Sequence, residues 1–114
     1  MTIQYDIVAQ RQIGEIFKYG KKTFGIRTAL VFKEKIRERI NSLKQNPLIG
    51  GIEWLLTDGE HEYRYLLVNP YKIIYSIKDD VIRIHLFWHT HRSPDTLKDY
   101  PIGVCEEVTP YGKE

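Results

Sequence analysis

The stretch Tyr63–Arg92, YRYLLVNPYKIIYSIKDDVIRIHLFWHTHR, decides the fold of this 114-residue chain. It consists of apolar segments separated by two turn signals, Asn69-Pro70 and Lys78-Asp79-Asp80. Asparagine, aspartate and proline favour turns, whereas isoleucine, valine and tyrosine favour strands. The stretch therefore predicts three consecutive antiparallel strands joined by tight turns.

Successive side chains of a strand point to opposite faces, so alternate residues of this stretch share a side. We expect one side to be the core, formed by Tyr63, Tyr65, Leu67, Tyr71, Ile73, Tyr75, Ile77, Ile82, Ile84, Leu86 and Trp88. The second side, which we call the platform, mixes cations, imidazoles and apolar groups: Glu62, Arg64, Leu66, Val68, Lys72, Ile74, Ser76, Arg83, His85, Phe87, His89 and His91. We expect the platform to be open and to bind a partner that is anionic and partly hydrophobic.

The residues before this stretch predict two helices and two further strands. Apolar and polar residues alternate over residues 2–8, which predicts an opening strand. Helical spacing follows in two segments, one ending near Gly25 and one before Pro47. A short strand over residues 52–56 then turns at Asp58-Gly59. The order strand, helix, helix and four strands predicts an α+β domain of two layers, with a helical hairpin on one face of a largely antiparallel sheet.

Composition indicates one domain followed by a tail. A chain of 114 residues suits a single domain, and no apolar run is long enough to cross a bilayer or to form a secretory signal. The single cysteine, Cys105, cannot form an internal disulfide, so we expect a cytoplasmic protein. We expect residues 1–98 to form the domain. Residues 99–114 are predicted to be weakly structured or ordered by a partner.

The charge is mildly basic and unevenly distributed. Residues 101–114 contribute −2 to the net charge of +2, so the remaining residues carry +4, from 16 Lys and Arg against 12 Asp and Glu. This balance permits a nucleic-acid or ribosomal partner without requiring one.

The order of elements and three motifs resemble a known family. The motifs are Tyr63-Arg64, the run Pro70-Tyr71-Lys72-Ile73-Ile74-Tyr75 and the pair Asp79-Asp80. Over residues 2–97 this pattern is similar to the RelE/ParE superfamily of toxins from bacterial type II toxin–antitoxin modules. The resemblance implies a cognate antitoxin as partner and one of two activities: RelE-like toxins cut messenger RNA on the ribosome, whereas ParE-like toxins inhibit DNA gyrase without a comparable nuclease site. A non-toxic relative that binds only its antitoxin is a third alternative.

The resemblance also implies roles for several basic residues. In nuclease members a basic residue on the third strand lies near the scissile phosphate, and Arg64 matches it. Lys72 matches a second cation, which is usually arginine, and His89, His91 and Arg92 occupy the end of the last strand, where such members carry basic or general acid residues. Lysine at position 72 lacks the bidentate grip of arginine. This departure weakens the nuclease interpretation and leaves room for a gyrase inhibitor.

Metal-free cleavage of RNA needs a base, an acid and cations that stabilise charge on the phosphate. Histidine suits the proton transfers because its ordinary pKa lies near neutrality. We therefore predict four converging catalytic residues on the platform: His91, His89, Arg64 and Lys72. Glu53 is a further candidate base, and the predicted phosphate-binding residues are Arg64, Lys72, Arg83 and Arg92. We expect neither a cofactor nor a metal, because no carboxylate or cysteine completes a ligand set with the histidines.

Overall fold

The computed structural model describes residues 1–91 and 108–110. In chain order its elements are β1 (Thr2–Asp6), α1 (Ile7–Phe24), α2 (Ile26–Asn41), a short 3-10 helix (Ser42–Lys44), β2 (Gly51–Ile52), β3 (Arg64–Val68), β4 (Tyr71–Lys78), β5 (Val81–His89) and β6 (Val108–Pro110). The predicted α+β architecture, with a strand, a helical hairpin and then antiparallel strands, is confirmed. Within the described residues, no helix combines the length and apolarity needed to cross a membrane.

The strands form one six-stranded sheet in the order β2-β3-β4-β5-β1-β6. Strands β2 to β5 pair antiparallel with their neighbours, and β1 lies parallel to β5. At the far edge β6 pairs antiparallel with residues Gln4–Asp6 of β1. Strand β6 lies within the predicted tail, residues 99–114. The other residues of that tail lie outside the described part of the chain.

The helical hairpin follows from two amphipathic segments separated by a glycine. Gly25 adopts a φ of +97° between α1 and α2, and its N–H donates to the carbonyl of Lys21. This backbone conformation is accessible mainly to glycine, so Gly25 ends α1. The residues at helical spacing that α1 and α2 bury in the core beneath the sheet are Ala9, Ile13, Ile36 and Ile40, and Ala29 of α2 is buried beside Gly20 of α1.

Helix α1 also protects the edge of β5 where β1 ends. The pairing of β1 with β5 runs as far as Tyr5 and Ile84. Beyond this point the Gln12 side chain donates to the carbonyl of Phe87 over 3.0 Å and accepts from its N–H over 2.7 Å. The amide thus takes the place of a neighbouring strand and satisfies both backbone groups.

The main core lies between the helices and one face of the sheet. It is built from buried side chains of both layers: Ile3, Tyr5, Ala9, Ile13, Ile36, Ile40, Leu43, Leu66, Val68, Ile73, Tyr75, Ile82, Ile84 and Phe87. Leu66, Val68 and Phe87 were predicted on the platform, so the predicted faces are wrong for parts of β3 and β5.

The error in β3 arises at the turn after it. Val68 pairs with Tyr71 and Leu66 pairs with Ile73 across the two-residue turn Asn69-Pro70. Directly paired residues share a face, so Val68 lies on the same face as Tyr71, three positions later. The predicted alternation instead placed Leu67, four positions before Tyr71, on that face. The side facing the helices therefore holds Arg64, Leu66 and Val68, and the other side holds Tyr65 and Leu67.

The error in β5 arises at a bulge. Tyr75 pairs with Ile84, but the preceding Ile74 pairs with Leu86, which leaves His85 as an extra residue. An extra residue of this kind changes the faces of the residues that follow it. Beyond the bulge, the helix-facing residues are Phe87 and His89.

The face that points away from the helices holds a second apolar cluster. Tyr63, Ile74, Leu86 and Trp88 are buried there, and partly buried residues of α1, of the β2–β3 connection and of β3 pack against them: Val8, Leu56 and Tyr65. Ile74 is 0% exposed and Trp88 is 2% exposed. The expectation of an open platform is therefore wrong for this part of the sheet.

Gly14 in α1 provides a test of helix propensity. A Cβ atom built at Gly14 meets nothing within 4 Å, and the residue is exposed within the helix. We expect Gly14→Ala to raise the free energy of unfolding by about 0.5–1 kcal/mol, because alanine loses less backbone entropy in a helix. Urea unfolding followed by circular dichroism measures this change. Gly25→Ala is the contrasting variant, since its positive φ predicts destabilisation, and a gain in stability there would contradict the assigned backbone conformation.

Candidate functional site

Arg64, a predicted phosphate ligand, is engaged within the protein. It lies on the helix-facing side of the sheet, opposite Tyr75. Its Nε donates to Glu62 Oε2 over 2.8 Å, and its NH1 group donates to the carbonyls of Gly50 over 2.8 Å and Leu48 over 3.3 Å. The side chain is 17% exposed. The guanidinium therefore anchors the turn before β2, and a phosphate would have to compete with these bonds.

Tyr75 anchors the same turn. Its hydroxyl accepts from the N–H of Gly50 over 3.0 Å and donates to the carbonyl of Pro47 over 2.8 Å. Burial raises the pKa of the Tyr75 hydroxyl, which keeps it protonated and able to donate. Together, Arg64 and Tyr75 bond three of the four residues of the segment 47–50.

Lys72 lies on the opposite face of the sheet. It pairs with Leu67 and Trp88, and its Nζ donates to Glu53 Oε1 over 2.6 Å while lying 4.4 Å from the centroid of the Tyr65 ring. The Glu53 side chain is 5% exposed. Glu53 was a candidate base, but its carboxylate and the Lys72 ammonium compensate each other in a partly buried ion pair.

His89 and His91 lie together at the end of β5. Their ring centroids are 5.0 Å apart, and His89 also contacts Tyr71 edge-on at 5.3 Å. The N–H of His91 donates to His89 Nδ1 over 3.1 Å, so a neutral His89 carries its proton on Nε2. His91 is exposed, whereas His89 is half-buried on the helix-facing side.

The predicted convergence of four catalytic residues is wrong. Arg64 and Lys72 lie on opposite faces. Arg64 pairs with Tyr75 and shares its face, whereas Lys72, three positions before Tyr75 in β4, points to the other face. Arg64 and His89 share a face, but they lie on the two strands on either side of β4. Arg64 of β3 pairs with Tyr75, and His89 of β5 pairs with Tyr71. Four residues along a strand and two strand spacings place their Cα atoms roughly 16 Å apart.

Arg83 and Arg92, the remaining predicted phosphate ligands, have different outcomes. Arg92 lies outside the described residues. Arg83 Nε donates to Asp6 Oδ1 over 2.6 Å, on the face away from the helices, where Arg83 pairs with Ser76. The role of Arg83 in phosphate binding stays a prediction. A phosphate would have to compete with Asp6 for the guanidinium.

A buried polar chain that the sequence did not predict starts at Asp6. Asp6 Oδ2 bonds His85 Nδ1 over 2.9 Å, and His85 Nε2 bonds Ser76 Oγ over 2.7 Å. A carboxylate only accepts hydrogen bonds, so His85 carries a proton on Nδ1, and its Nε2 accepts from Ser76 when the ring is neutral. The bulge at His85 brings this ring beside Ser76. No local sequence signal marks this bulge, so the sequence did not predict the hydrogen bonds that link Asp6, His85 and Ser76.

The Asp6 carboxyl responds to this environment. Burial raises the pKa of Asp6, but hydrogen bonds from His85 and Arg83, together with their positive charge, lower it more. The net result is a pKa below the ordinary value of 3.8. Asp6 is therefore ionised at neutral pH and holds β1 to β5 through both oxygens. Among the described residues, no group of three or more His, Cys, Asp or Glu side chains could hold a metal ion.

An apolar groove lies between the helical hairpin and the end of the sheet. Its volume is about 390 Å³, and its walls include Ile13, Phe17, Phe32, Ile36, Tyr71 and His89. We call it the hairpin groove. The ammonium groups of Lys33 and Lys21 lie 5.1 and 5.8 Å from the centroid of the Phe17 ring. The groove thus combines aromatic walls with cations at one side, which suits an apolar segment with acidic neighbours.

Comparisons with known proteins agree with the resemblance. Residues 3–94 match the model of a family described as ParE toxin of type II toxin-antitoxin system, parDE. A solved structure titled "Chromosomal ParDE TA system from P. aeruginosa" has a similar fold, with a TM-score of 0.65, 19% sequence identity and coverage of 78% of this chain and 95% of that chain. Among curated proteins, none matches the sequence. The family match begins in β1 and extends beyond the end of β5.

Proposed function

Because this chain belongs to the ParE toxin family of type II toxin–antitoxin systems, we propose that it arrests growth by binding DNA gyrase rather than by cutting messenger RNA. One observation supports this choice: the two predicted phosphate ligands, Arg64 and Lys72, lie on opposite faces and are each paired with a carboxylate of the protein itself. Nuclease chemistry needs cations and proton-transfer groups around one phosphate. Binding a protein target needs neither. With gyrase as its target, the toxin acts in the cytoplasm.

The proposed antitoxin partner occupies the hairpin groove. The solved structure with a similar fold is that of a ParDE toxin–antitoxin system, and the groove offers aromatic walls beside Lys21 and Lys33. An amphipathic segment with apolar and acidic side chains matches both features. Occupation of this groove covers Tyr71 and His89.

Cleavage of ribosome-bound messenger RNA is the second candidate. It is favoured by the contact between the His89 and His91 rings, since two adjacent imidazoles can act as acid and base. In this alternative His89 and His91 transfer protons.

Growth and supercoiling assays separate these functions. We expect induced expression to arrest growth unless an antitoxin is supplied, and the purified toxin to inhibit gyrase supercoiling. The double variant His89→Ala, His91→Ala should inhibit gyrase as the wild type does, because the proposed function uses no proton transfer. Primer extension on a translated message should show no new cuts. Cuts that disappear in the double variant would establish the nuclease instead, and antitoxin binding without growth arrest would identify a non-toxic relative.

A further inference from the structure

We propose that the free end of the helical hairpin contacts the phosphate backbone of the DNA that gyrase holds, an inference that rests on the proposed function. The surface consists of Lys18 and Lys22 in the last two turns of α1 and of Arg27 in the first turn of α2. We call it the basic tip. Through it the toxin binds the gyrase–DNA complex more tightly than gyrase alone.

Positive charge is concentrated at this end of the hairpin. Residues 16–33 contain five Lys or Arg residues and no Asp or Glu. The rest of the chain holds 12 Lys and Arg against 15 Asp and Glu, a net charge of −3. The small net charge of the protein therefore hides one strongly basic surface on an otherwise acidic molecule, and a polyanion is attracted to that surface first.

The fold brings the cations of the basic tip together. Gly25 joins α1 directly to α2, and a Cβ atom built at Gly20 lies 3.5 Å from the Cβ of Ala29, so the two helices pack closely at this end. Lys18 and Lys22 are four residues apart on one face of α1, which places their Cβ atoms about 6 Å apart. All three residues of the basic tip are exposed. Duplex DNA carries one charge for about every 1.7 Å of its axis, so cations spaced in this way meet separate phosphates.

The cations of the basic tip are available for binding. Within residues 1–91 and 108–110, none of the three forms an ion pair. The cations of the sheet differ, since Arg64, Lys72 and Arg83 each have a nitrogen within 2.8 Å of a carboxylate oxygen. A phosphate at the basic tip therefore replaces only counterions and water, whereas a phosphate at the sheet has to displace a carboxylate.

Two other anionic partners match the basic tip less well. The acidic antitoxin is proposed for the hairpin groove, whose walls include none of the three residues. A helix that lies on an anionic membrane needs a long apolar face, but α1 and α2 bury their apolar faces in the core. Exposed apolar residues such as Phe24 and Ile26 adjoin the tip, so the test has to separate DNA from a membrane.

Matched triple variants test the basic tip. Both replace three exposed cations by glutamine and change the net charge from +2 to −1, but only one of them alters the tip. The test variant is Lys18→Gln, Lys22→Gln, Arg27→Gln, and the control variant is Arg11→Gln, Lys35→Gln, Lys44→Gln. Fluorescence anisotropy with a short labelled duplex measures DNA binding by the purified toxin at about 50–200 mM salt.

The salt dependence of DNA binding should change only in the test variant. We expect the plot of log affinity against log salt to have the same slope in the wild type and the control. In the test variant the slope should be shallower by about 2–3, because each phosphate contact contributes roughly 0.9. At about 50 mM salt the test variant should bind the duplex at least about tenfold more weakly than the control, because it loses three phosphate contacts.

Binding to gyrase gives a second measurement. We expect the wild type and the control to bind gyrase at least about fivefold more tightly when the enzyme holds DNA, the lower end of the usual range for coupling between two ligands. The test variant should bind gyrase equally well with and without DNA. It should also need a higher concentration than the control for half-inhibition of supercoiling.

The outcomes are distinguishable. Circular dichroism and urea unfolding first establish that each variant is folded. If the wild type does not inhibit gyrase, the proposed function fails and the assignment of gyrase-held DNA fails with it. If the wild type inhibits gyrase, but the test and control variants bind the duplex and the gyrase–DNA complex equally well, the basic tip is not the DNA contact and the proposed function stands. Unchanged DNA binding with loss of binding to phosphatidylglycerol vesicles, or to the antitoxin, would assign the tip to a membrane or to the antitoxin and overturn the proposal.

Discussion

Replacement of Asp6 by alanine is expected to lower the free energy of unfolding by about 3–5 kcal/mol, the range for removing one partner of a buried ion pair. The Asp6 side chain is 4% exposed and that of His85 3%. Without the carboxylate, the buried His85 Nδ1 loses its acceptor at a place that water cannot easily reach, and the Arg83 guanidinium, whose side chain is 30% exposed, loses its ion pair. The change also removes a link between β1 and β5, which pair in parallel. Urea unfolding at neutral pH measures the effect.

The effect of Asp6→Ala should depend on pH in a defined direction. The pKa of Asp6 in the folded protein lies below 3.8. A lowered carboxyl pKa stabilises the folded state at pH values above the unfolded-state pKa, and this contribution disappears as pH falls through the folded-state pKa. The difference between wild type and variant is therefore largest near neutral pH and shrinks below pH 3.8.

Ser76→Ala is the control for the Asp6 prediction. It removes a neutral partner at the far end of the same chain, so we expect a loss of only about 0.5–1.5 kcal/mol without the acid-dependent component. Equal losses for Asp6→Ala and Ser76→Ala at neutral pH would contradict the assigned importance of the ion pair. A loss in Asp6→Ala that persists unchanged in acid would contradict the lowered pKa.

Substitution of Gly50 by alanine is the second change with a large expected effect. A Cβ atom at Gly50 lies 2.5 Å from both the Tyr65 carbonyl oxygen and the Tyr75 hydroxyl. The carbonyl oxygen belongs to the backbone of β3 and cannot rotate away. We expect the variant to lose about 1–3 kcal/mol of unfolding free energy through overpacking, together with disruption of the bond from the Gly50 N–H to Tyr75.

Gly59→Ala is the matched control for Gly50→Ala. A Cβ atom at Gly59 meets nothing within 4 Å, so its stability should change by no more than about 0.5 kcal/mol. Thermal and urea unfolding of both variants give the comparison. A Gly50→Ala variant as stable as Gly59→Ala would show that the turn before β2 is not pinned as described.

Much of the architecture was predictable because it depends on local patterns. The spacing of apolar residues in α1 and α2, and the turn signals at Asn69-Pro70 and Asp79-Asp80, depend on neighbours within a few positions. These patterns identified both helices and the order of the elements up to β5, but two strand predictions are wrong in extent: the strand predicted over residues 52–56 is limited to Gly51–Ile52, with a turn at residues 54–56, and the opening strand ends at Asp6. The resemblance of the strand motifs led to the family that the comparison over residues 3–94 supports.

The assignment of side chains to faces was less predictable. Across the turn Lys78-Asp79-Asp80 the predicted core side changed correctly from odd-numbered residues in β4 to even-numbered residues in β5. The helix-facing side was therefore predicted correctly for Ile73, Ile77, Ile82 and Ile84. The same change was missed at Asn69-Pro70, although the rule for paired residues across a two-residue turn is general. The bulge at His85 could not have been inferred, because it depends on how β4 and β5 align over their whole length.

The sequence by itself determined the α+β order of elements, the helical hairpin and the toxin family, since helix and strand patterns are written in neighbouring residues. Only the tertiary structure decided which charged side chains meet. Arg64 faces a turn, Lys72 faces Glu53 on the other side of the sheet, and Asp6 reaches His85 across 79 positions of sequence. Strand register and the extra residue His85 at the bulge determine these contacts. Both arise from cross-strand pairing over the whole sheet, which no local alternation of residue types encodes.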